Sequence, residues 1–337
     1  MAPAAASTVL YEDFTGACAP NSNFLTPVLQ WGGSINGGTV PGNVACVTDS
    51  DLGKQVLQLT AHGDKFTGSG PVGVDHQLAP RDKDDEFTGW KNPGYAPACS
   101  PYCDVRRVGG AVQTHIGIRG GSIEANIKPC PIFGAATAMF TYNYTEVNCG
   151  SYLKPNVENH CPADYAAQCC LPDRQGGTPD CTINPDGKVG DVCRGSWVQN
   201  KEIDFEIPSS LETGPGSVDP TLIKFTNTRM NTVTAFPWEY THHTLAGVDP
   251  PYESDNFNNV GFAQNDGKYH KYRVDWVPSV SAKFYVDDVL HQTVTGPKLV
   301  PDFGHLILAT WFPNAWAGSP DFDTCEMRVD YVKVTSL

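Results

Sequence analysis

Glu202, Asp204 and Glu206 stand at every second position of the run Asn200-Lys201-Glu202-Ile203-Asp204-Phe205-Glu206-Ile207-Pro208, with Ile203, Phe205 and Ile207 between them. In a β-strand, residues i, i+2 and i+4 share a face, so the acids line one side and the apolar residues the other. A helix would scatter the acids, and Ile and Phe favour strands. Carboxylates this close repel and raise one another's pKa, a tension from which a purely structural strand gains nothing. Taken alone, the string admits two readings: a solvated strand face, or a site. As a site it suits cleavage of a glycosidic bond, which needs two carboxyl groups, about 5–5.5 Å apart when configuration is retained. Glu202 and Glu206 lie about 13 Å apart at Cα, at about 3.3 Å per residue. Side chains leaning inward on a concave, twisted strand close much of that gap. Asp204 between them can hydrogen-bond one Glu and hold the two pKa values apart.

Such a strand needs a sheet around it, and the chain supplies many candidates. Val56-Leu57-Gln58-Leu59-Thr60-Ala61 alternates with period two. Tyr11–Phe14, Gly110–Thr114, Gly121–Lys128, Ala135–Tyr142, Leu222–Thr228, Asn231–Phe236, Tyr269–Trp276, Ala282–Val286, Val289–Val294, His305–Trp311 and Cys325–Val334 also read as strands. Asp266-Gly267 marks a turn, and Asp287-Asp288 a tight one between two strands. Many strands at short spacing, with no long amphipathic helix, predict an antiparallel sandwich or barrel. No linker or repeat divides the chain, so residues 1–337 read as one domain. The segment from about 144 to 198 breaks the pattern and holds Cys149, Cys161, Cys169, Cys170, Cys181 and Cys193. It reads as a disulfide-stapled loop beside the acids, and long ordered loops are usually functional.

Composition narrows the function classes. The chain has 33 glycines, 27 prolines and only 18% charged residues, which suits a loop-rich β protein. A net charge of −14 argues against nucleic acid as a partner, and mildly against a polyanionic substrate. No apolar stretch is long enough for a membrane span. Twelve cysteines point to disulfides in an oxidising compartment, and so to a secreted chain, expected to be a monomer. Met1–Ser7 lacks the features of a signal peptide and reads as a mature start with an added Met. The sequon Asn143-Tyr144-Thr145 fits secretion. Asp82-Lys83-Asp84-Asp85-Glu86 has no calcium-loop spacing and reads as a solvated charge run. Cys99 and Cys103 lack a second ligand pair at zinc-finger spacing and join the disulfide framework.

Glu202-Ile203-Asp204-Phe205-Glu206 resembles the E-[ILV]-D-x-E signature of glycoside hydrolase family 16. It is similar to the unbulged form of lichenases and cell-wall transglycosylases; laminarinase-type members usually carry one more residue before the last Glu. Further similarities follow in family order. Gly121–Pro129 resembles "G-x-[FY]-E-x-R-[IM]-K", and Met139-Phe140-Thr141-Tyr142 resembles "F-F-T-Y". Tyr269–Trp276 resembles "F-H-x-Y-x-x-D-W", Phe284–Asp287 resembles "W-Y-V-D", and Val329–Val334 resembles "Y-D-W-V-K". The usual Gly after "W-Y-V-D" is Asp288 here.

The resemblance implies an all-β, concanavalin-like jelly roll of two curved antiparallel sheets, with a glycan cleft on the concave face. It implies Glu202 as nucleophile, Asp204 as its electrostatic helper and Glu206 as acid/base, with no cofactor needed for catalysis. Phe140, Tyr142, Trp197, Trp311 and Trp316 are candidates to stack on sugars, and Asn227 to contact one; core packing is the alternative for any single Trp. Trp276 is assigned to the core. Trp238, His242 and His243 are candidates for the cleft border or a surface loop. Asp330 matches a position that often binds a structural calcium. The expected activity is a secreted, retaining endo-β-glucanase acting on β-1,3 and/or β-1,4 glucan. A transglycosylase of the same fold is the alternative, and a lectin-like module would be expected to lack at least one of the acids. The Cys-rich insertion, absent from simple lichenases, leaves the polysaccharide and the balance of hydrolysis and transfer open.

Overall fold

Alternation of buried and more exposed residues is strictest in two strands of one sheet. Along Gly121–Lys128 the buried positions are Gly121, Ile123, Ala125 and Ile127; along His270–Val277 they are His270, Tyr272, Val274 and Trp276. The computed structural model describes residues 7–27, 38–72, 106–148, 196–209, 222–234, 238–239, 243–244, 252–253, 257–296, 299–300, 304–313 and 316–337. The strands in chain order are β1 (Thr8–Glu12), β2 (Phe24–Leu25), β3 (Val44–Asp49), β4 (Lys54–His62), β5 (Gly110–Ile118), β6 (Gly121–Lys128), β7 (Ala136–Asn148), β8 (Ser196–Ile207) and β9 (Asn227–Thr234). They continue with β10 (Trp238–Glu239), β11 (His243–Thr244), β12 (Tyr252–Glu253), β13 (Phe257–Asn259), β14 (His270–Val277), β15 (Ser281–Val286), β16 (Val289–Thr295), β17 (Gly304–Trp311) and β18 (Thr324–Thr335). Pro41–Asn43 is the one helical element among the described residues, a short 3-10 turn.

Two large antiparallel sheets form the sandwich expected of a jelly roll. One runs β16-β15-β14-β6-β18-β4-β3, with β1 also on β18; the other runs β12-β9-β8-β7-β17-β5-β2, with β13 also on β9. The core lies between them. Met139, Ile203, Phe205, Ile207, Met230, Leu306 and Leu308 come from the second sheet. Leu57, Leu59, Ile123, Ile127, Tyr272, Trp276, Phe284 and Val332 meet them from the first. Trp276 is fully buried, as its assignment to the core requires, and its indole N–H donates to the Val300 carbonyl at 3.1 Å.

Several local expectations are refined. The run 222–228 is strand only at its last two residues. Residues 222–226 form a turn, with Asn227 N–H donating to the Lys224 carbonyl at 3.1 Å, and one strand then spans Asn227–Thr234. Ile223 and Phe225 owe their apolar character to burial as loop residues. β7 and β8 pair from Thr137↔Ile207 to Asn148↔Ser196, so both ends of the expected 144–198 loop are strand. The six cysteines of that segment lie outside the described residues, as do Asp82–Glu86, Cys99 and Cys103. The tight turn at Asp287-Asp288 is present, with φ of 49° and 65°. Left-handed backbone at both central residues is the geometry that twisted hairpins favour, and Asp tolerates it without glycine.

Two disulfides are seen among the described residues, Cys18–Cys46 and Cys130–Cys325. The second closes a sequence separation of 195 residues, tying the segment after β6 to the start of β18. Asp49, at the end of β3, fastens the same sheet. It is fully buried and accepts from the N–H groups of Asp51 and Leu52, the Tyr269 hydroxyl at 2.8 Å and Arg328 Nη1 at 3.0 Å. Burial works to raise this carboxyl, but its hydrogen bonds from Tyr269, Arg328 and the turn hold it down to about 2. Its folded pKa is therefore depressed, so its stabilisation is complete above the ordinary carboxylate range and disappears as pH falls through about 2. Asp49→Asn is expected to cost about 2–3 kcal/mol in denaturant melts near neutral pH. The gap to the unsubstituted protein should narrow steadily as melts are run at more acidic pH below about 4.

Candidate active site

The acidic face of β8 is built rung by rung from strand register. β8 lies between β7 and β9, and β17 is on the far side of β7. Glu202 pairs with Tyr142 and Val233, Asp204 with Phe140 and Asn231, and Glu206 with Ala138 and Arg229. On β17, His305, Ile307 and Ala309 continue the three rungs beyond β7. Directly paired residues share a face. The acids, Tyr142, Phe140, Ala138, His305 and Ile307 therefore stand on the side of the sheet away from the sandwich core. Phe140, Ile307, Ala111, Ala138 and Ala309 form a separate small apolar cluster there, with Tyr142 and Trp311 packed against it.

The back of β8 explains why the acids face outward. Ile203, Phe205 and Ile207 are each about 2% exposed and belong to the main core. Phe205 sits edge-on to Tyr272 at 5.7 Å and to Phe284 at 5.2 Å, both on the opposite sheet. Packing of this kind adds about 0.5–1.5 kcal/mol per aromatic pair to the gain from burial. On the acidic face Asp204 and Glu206 are only 4% and 7% exposed, while Glu202 is half-buried. Carboxylates so enclosed cannot lean on water for their charge and depend on neighbouring donors.

One such donor is Arg229, whose Nη1 lies 3.4 Å from Glu206 Oε2. The same guanidinium lies 5.7 Å from the centre of the Trp316 ring, and Trp316 meets Trp311 edge-on at 5.9 Å. Glu206, Arg229, Trp316 and Trp311 thus make a continuous wall. Phe140 and Tyr142, directly across from Asp204 and Glu202 on β7, pack edge to face at 6.0 Å. At the Glu202 end, His305 Nδ1 donates to the Thr114 carbonyl at 2.9 Å. That bond fixes the ring and assigns the proton to Nδ1.

Of the residues singled out from sequence, Phe140, Tyr142, Trp311 and Trp316 are gathered with the three acids. Trp197 falls in β8 opposite Val147. Asn227 is fully buried at the start of β9; its amide donates to the Leu222 carbonyl at 3.5 Å and its Oδ1 accepts from the Thr226 hydroxyl at 3.3 Å. Its polar atoms serve the turn before β9. Trp238 and His243 belong to the short β10–β11 pair, and the backbone of β10 runs beside β8; His242 lies outside the described residues. Sequence reading did not single out Arg229, His305 or Ile307. Their signal is cross-strand pairing, which a single chain read in order does not display.

Asp330 is buried by a β-bulge between Val329 and Tyr331 in the pairing of β18 with β6. Its carboxylate pairs with the Lys54 ammonium and accepts from Asn126 Nδ2 at 2.9 Å. Among the described residues no group of three or more metal-ligating side chains occurs, backbone oxygens near Asp330 left out of account. Among those residues, too, no helix is long and apolar enough to cross a membrane.

No family model matches this chain, and no curated protein matches it in sequence. Solved structures do match. The Bacillus licheniformis β-glucanase is 17% identical, with 97% of this chain and 98% of that one covered, at a TM-score of 0.51. A Bacteroides ovatus mixed-linkage-glucan glycoside hydrolase of family 16, in complex with product, is 16% identical over 96% and 99%, at 0.52. LamA from Zobellia galactanivorans, bound to laminaritriose and laminaritetraose, is 12% identical over 98% and 99%, at 0.50. The chain therefore has a fold like that of the family 16 glycan hydrolases.

If the Lys54–Asp330 pair takes the place of a calcium ion there, chelation is expected to leave the protein's stability untouched. EDTA treatment followed by calorimetry should give an unchanged melting temperature. A fall that added calcium reverses, and that Asp330→Asn abolishes, would place a cation at Asp330 in competition with Lys54.

Proposed function

We propose that this protein is a secreted glycan hydrolase that cleaves β-1,3 and/or β-1,4 glucan with retention of configuration. The observation that carries the reading is the acidic face of β8: three carboxylates on one strand of a glycan-hydrolase-like fold, flanked by Phe140, Tyr142, Trp311 and Trp316. Aromatic faces suit the apolar faces of sugar rings. The two disulfides among the described residues fit an oxidising compartment.

In this reading Glu202 attacks the anomeric carbon while Glu206 donates its proton to the departing glycosidic oxygen. The C–O bond breaks, a glycosyl ester forms on Glu202, and Glu206 is left as a carboxylate. Glu206 then takes a proton from the incoming water, whose oxygen displaces Glu202 and restores both groups. Two inversions at one carbon give net retention. Asp204, pointing the same way between them, keeps the two Glu residues electrostatically distinct.

Digestion of a panel of β-glucans, followed by proton NMR of the first products, should show the β-anomer before mutarotation. An initial α-anomer would defeat the double-displacement reading. Glu202→Gln is expected to lower kcat/KM for glucan by about 1,000-fold or more. Glu206→Ala should lose about 100- to 10,000-fold on glucan. Its loss should be much smaller on a dinitrophenyl glycoside, whose leaving group needs no proton. Adding an oligosaccharide acceptor tests the competing activity: longer products with little reducing sugar would mean that transfer dominates.

A further inference from the structure

We propose that Arg229 is a positioning residue that receives the charge developing on Glu206, and so sets the alkaline limit of the reaction. The inference rests on the reading of Glu206 as acid/base. Arg229 stands directly opposite Glu206 in the β8–β9 register, with Nη1 3.4 Å from Oε2. The pair is not a surface ion pair, whose contribution would be small. The two side chains are only 20% and 10% exposed. The guanidinium is propped from the other side by the Trp316 ring at 5.7 Å, and Trp316 in turn rests on Trp311. A guanidinium held between a carboxylate and an indole face loses little entropy when the carboxylate becomes charged.

The surrounding charges make this role specific. Glu202 and Asp204 share the strand face with Glu206, and both disfavour its ionised form. On β7 the residue opposite Glu206 is Ala138; Tyr142 lies two rungs away, with His305 beyond it on β17. β10 runs beside β8 and carries Glu239. Among the described residues directly paired with the three acids, Arg229 is the one that is basic. When Glu206 gives its proton to the leaving oxygen, the new negative charge appears beside Arg229. When Glu206 later takes a proton from water, it does so from that same stabilised carboxylate. Arg229 favours the ionised form, so it lowers the pH above which Glu206 loses its proton and glycosyl transfer stops.

Arg229→Gln should therefore move the alkaline limb of the kcat/KM profile on glucan upward by roughly one pH unit. It should slow glucan cleavage more than cleavage of a dinitrophenyl glycoside. Arg229→Lys, which restores the charge, should bring the limb back towards its original position. Trp316→Leu removes the prop and should move the limb in the same direction as Arg229→Gln by a smaller amount, which gives a second route if Arg229→Gln does not fold. A uniform loss of rate with the limb unmoved in the folded variants would overturn the proposal and leave Arg229 a structural residue. Failure of the acid/base reading is seen separately: Glu206→Ala would then lose dinitrophenyl glycoside cleavage as fully as glucan cleavage.

Discussion

The grip of the opposite sheet on Phe205 is the interaction on which the acidic face depends. Phe205 lies between Asp204 and Glu206 in sequence and is wedged against Tyr272 and Phe284 in space. Burial of a side chain this large favours one orientation of the strand by about 1.5–3 kcal/mol. Ile203 and Ile207 add to it on the same side. Because a strand has period two, every contribution that draws these three inward drives the three carboxylates outward. The core therefore contributes to aligning the acids, although no core atom need touch a substrate.

That alignment has an electrostatic cost. Asp204 and Glu206 are nearly inaccessible, and like charges at adjacent rungs repel. Replacing the acids with apolar residues would be expected to relieve that strain, as buried charges are weak contributors to stability. Arg229 offsets part of it at one end of the row, and Trp316 keeps that offset in place. The surroundings of the three carboxylates also differ. Glu206 has a cation at hydrogen-bonding distance, Asp204 is enclosed opposite Phe140, and Glu202 is the most open to solvent of the three.

Much of this was legible in the sequence because period-two burial is a local signal. The alternation in Gly121–Lys128 and His270–Val277 is in the residues themselves, and so is the division of β8 into an acidic and an apolar face. The turn at Asp287-Asp288 was legible from residues that accept left-handed backbone. What escaped depends on partners far away in sequence. Leu222–Thr228 has strand-like composition, yet Ile223 and Phe225 are buried from a turn. The bulge after Val329 returns Val332 and Val334 to the core and buries Asp330, which strict alternation would not foresee. Neither Cys130–Cys325 nor the pairing of Glu206 with Arg229 leaves any mark in local sequence.

The candidate site is built on strands, although functional residues more often sit on loops, and the register of β8 holds it in place. A slip of one residue would send the carboxylates into the core and Phe205 into solvent. β7 guards against it along the whole of β8, from Ile207 to Ser196, and β9 does so from Glu202 to Glu206 without a bulge. Carboxylates that must cooperate across a single bond need placement to within a fraction of an ångström, and side chains on paired strands hold such placement better than those on loops. The same ladder that fixes the acids also fixes Arg229 opposite Glu206. The cation is thus delivered by register, and any change that shifted β9 by one residue would withdraw it from Glu206 while leaving all three acids in place.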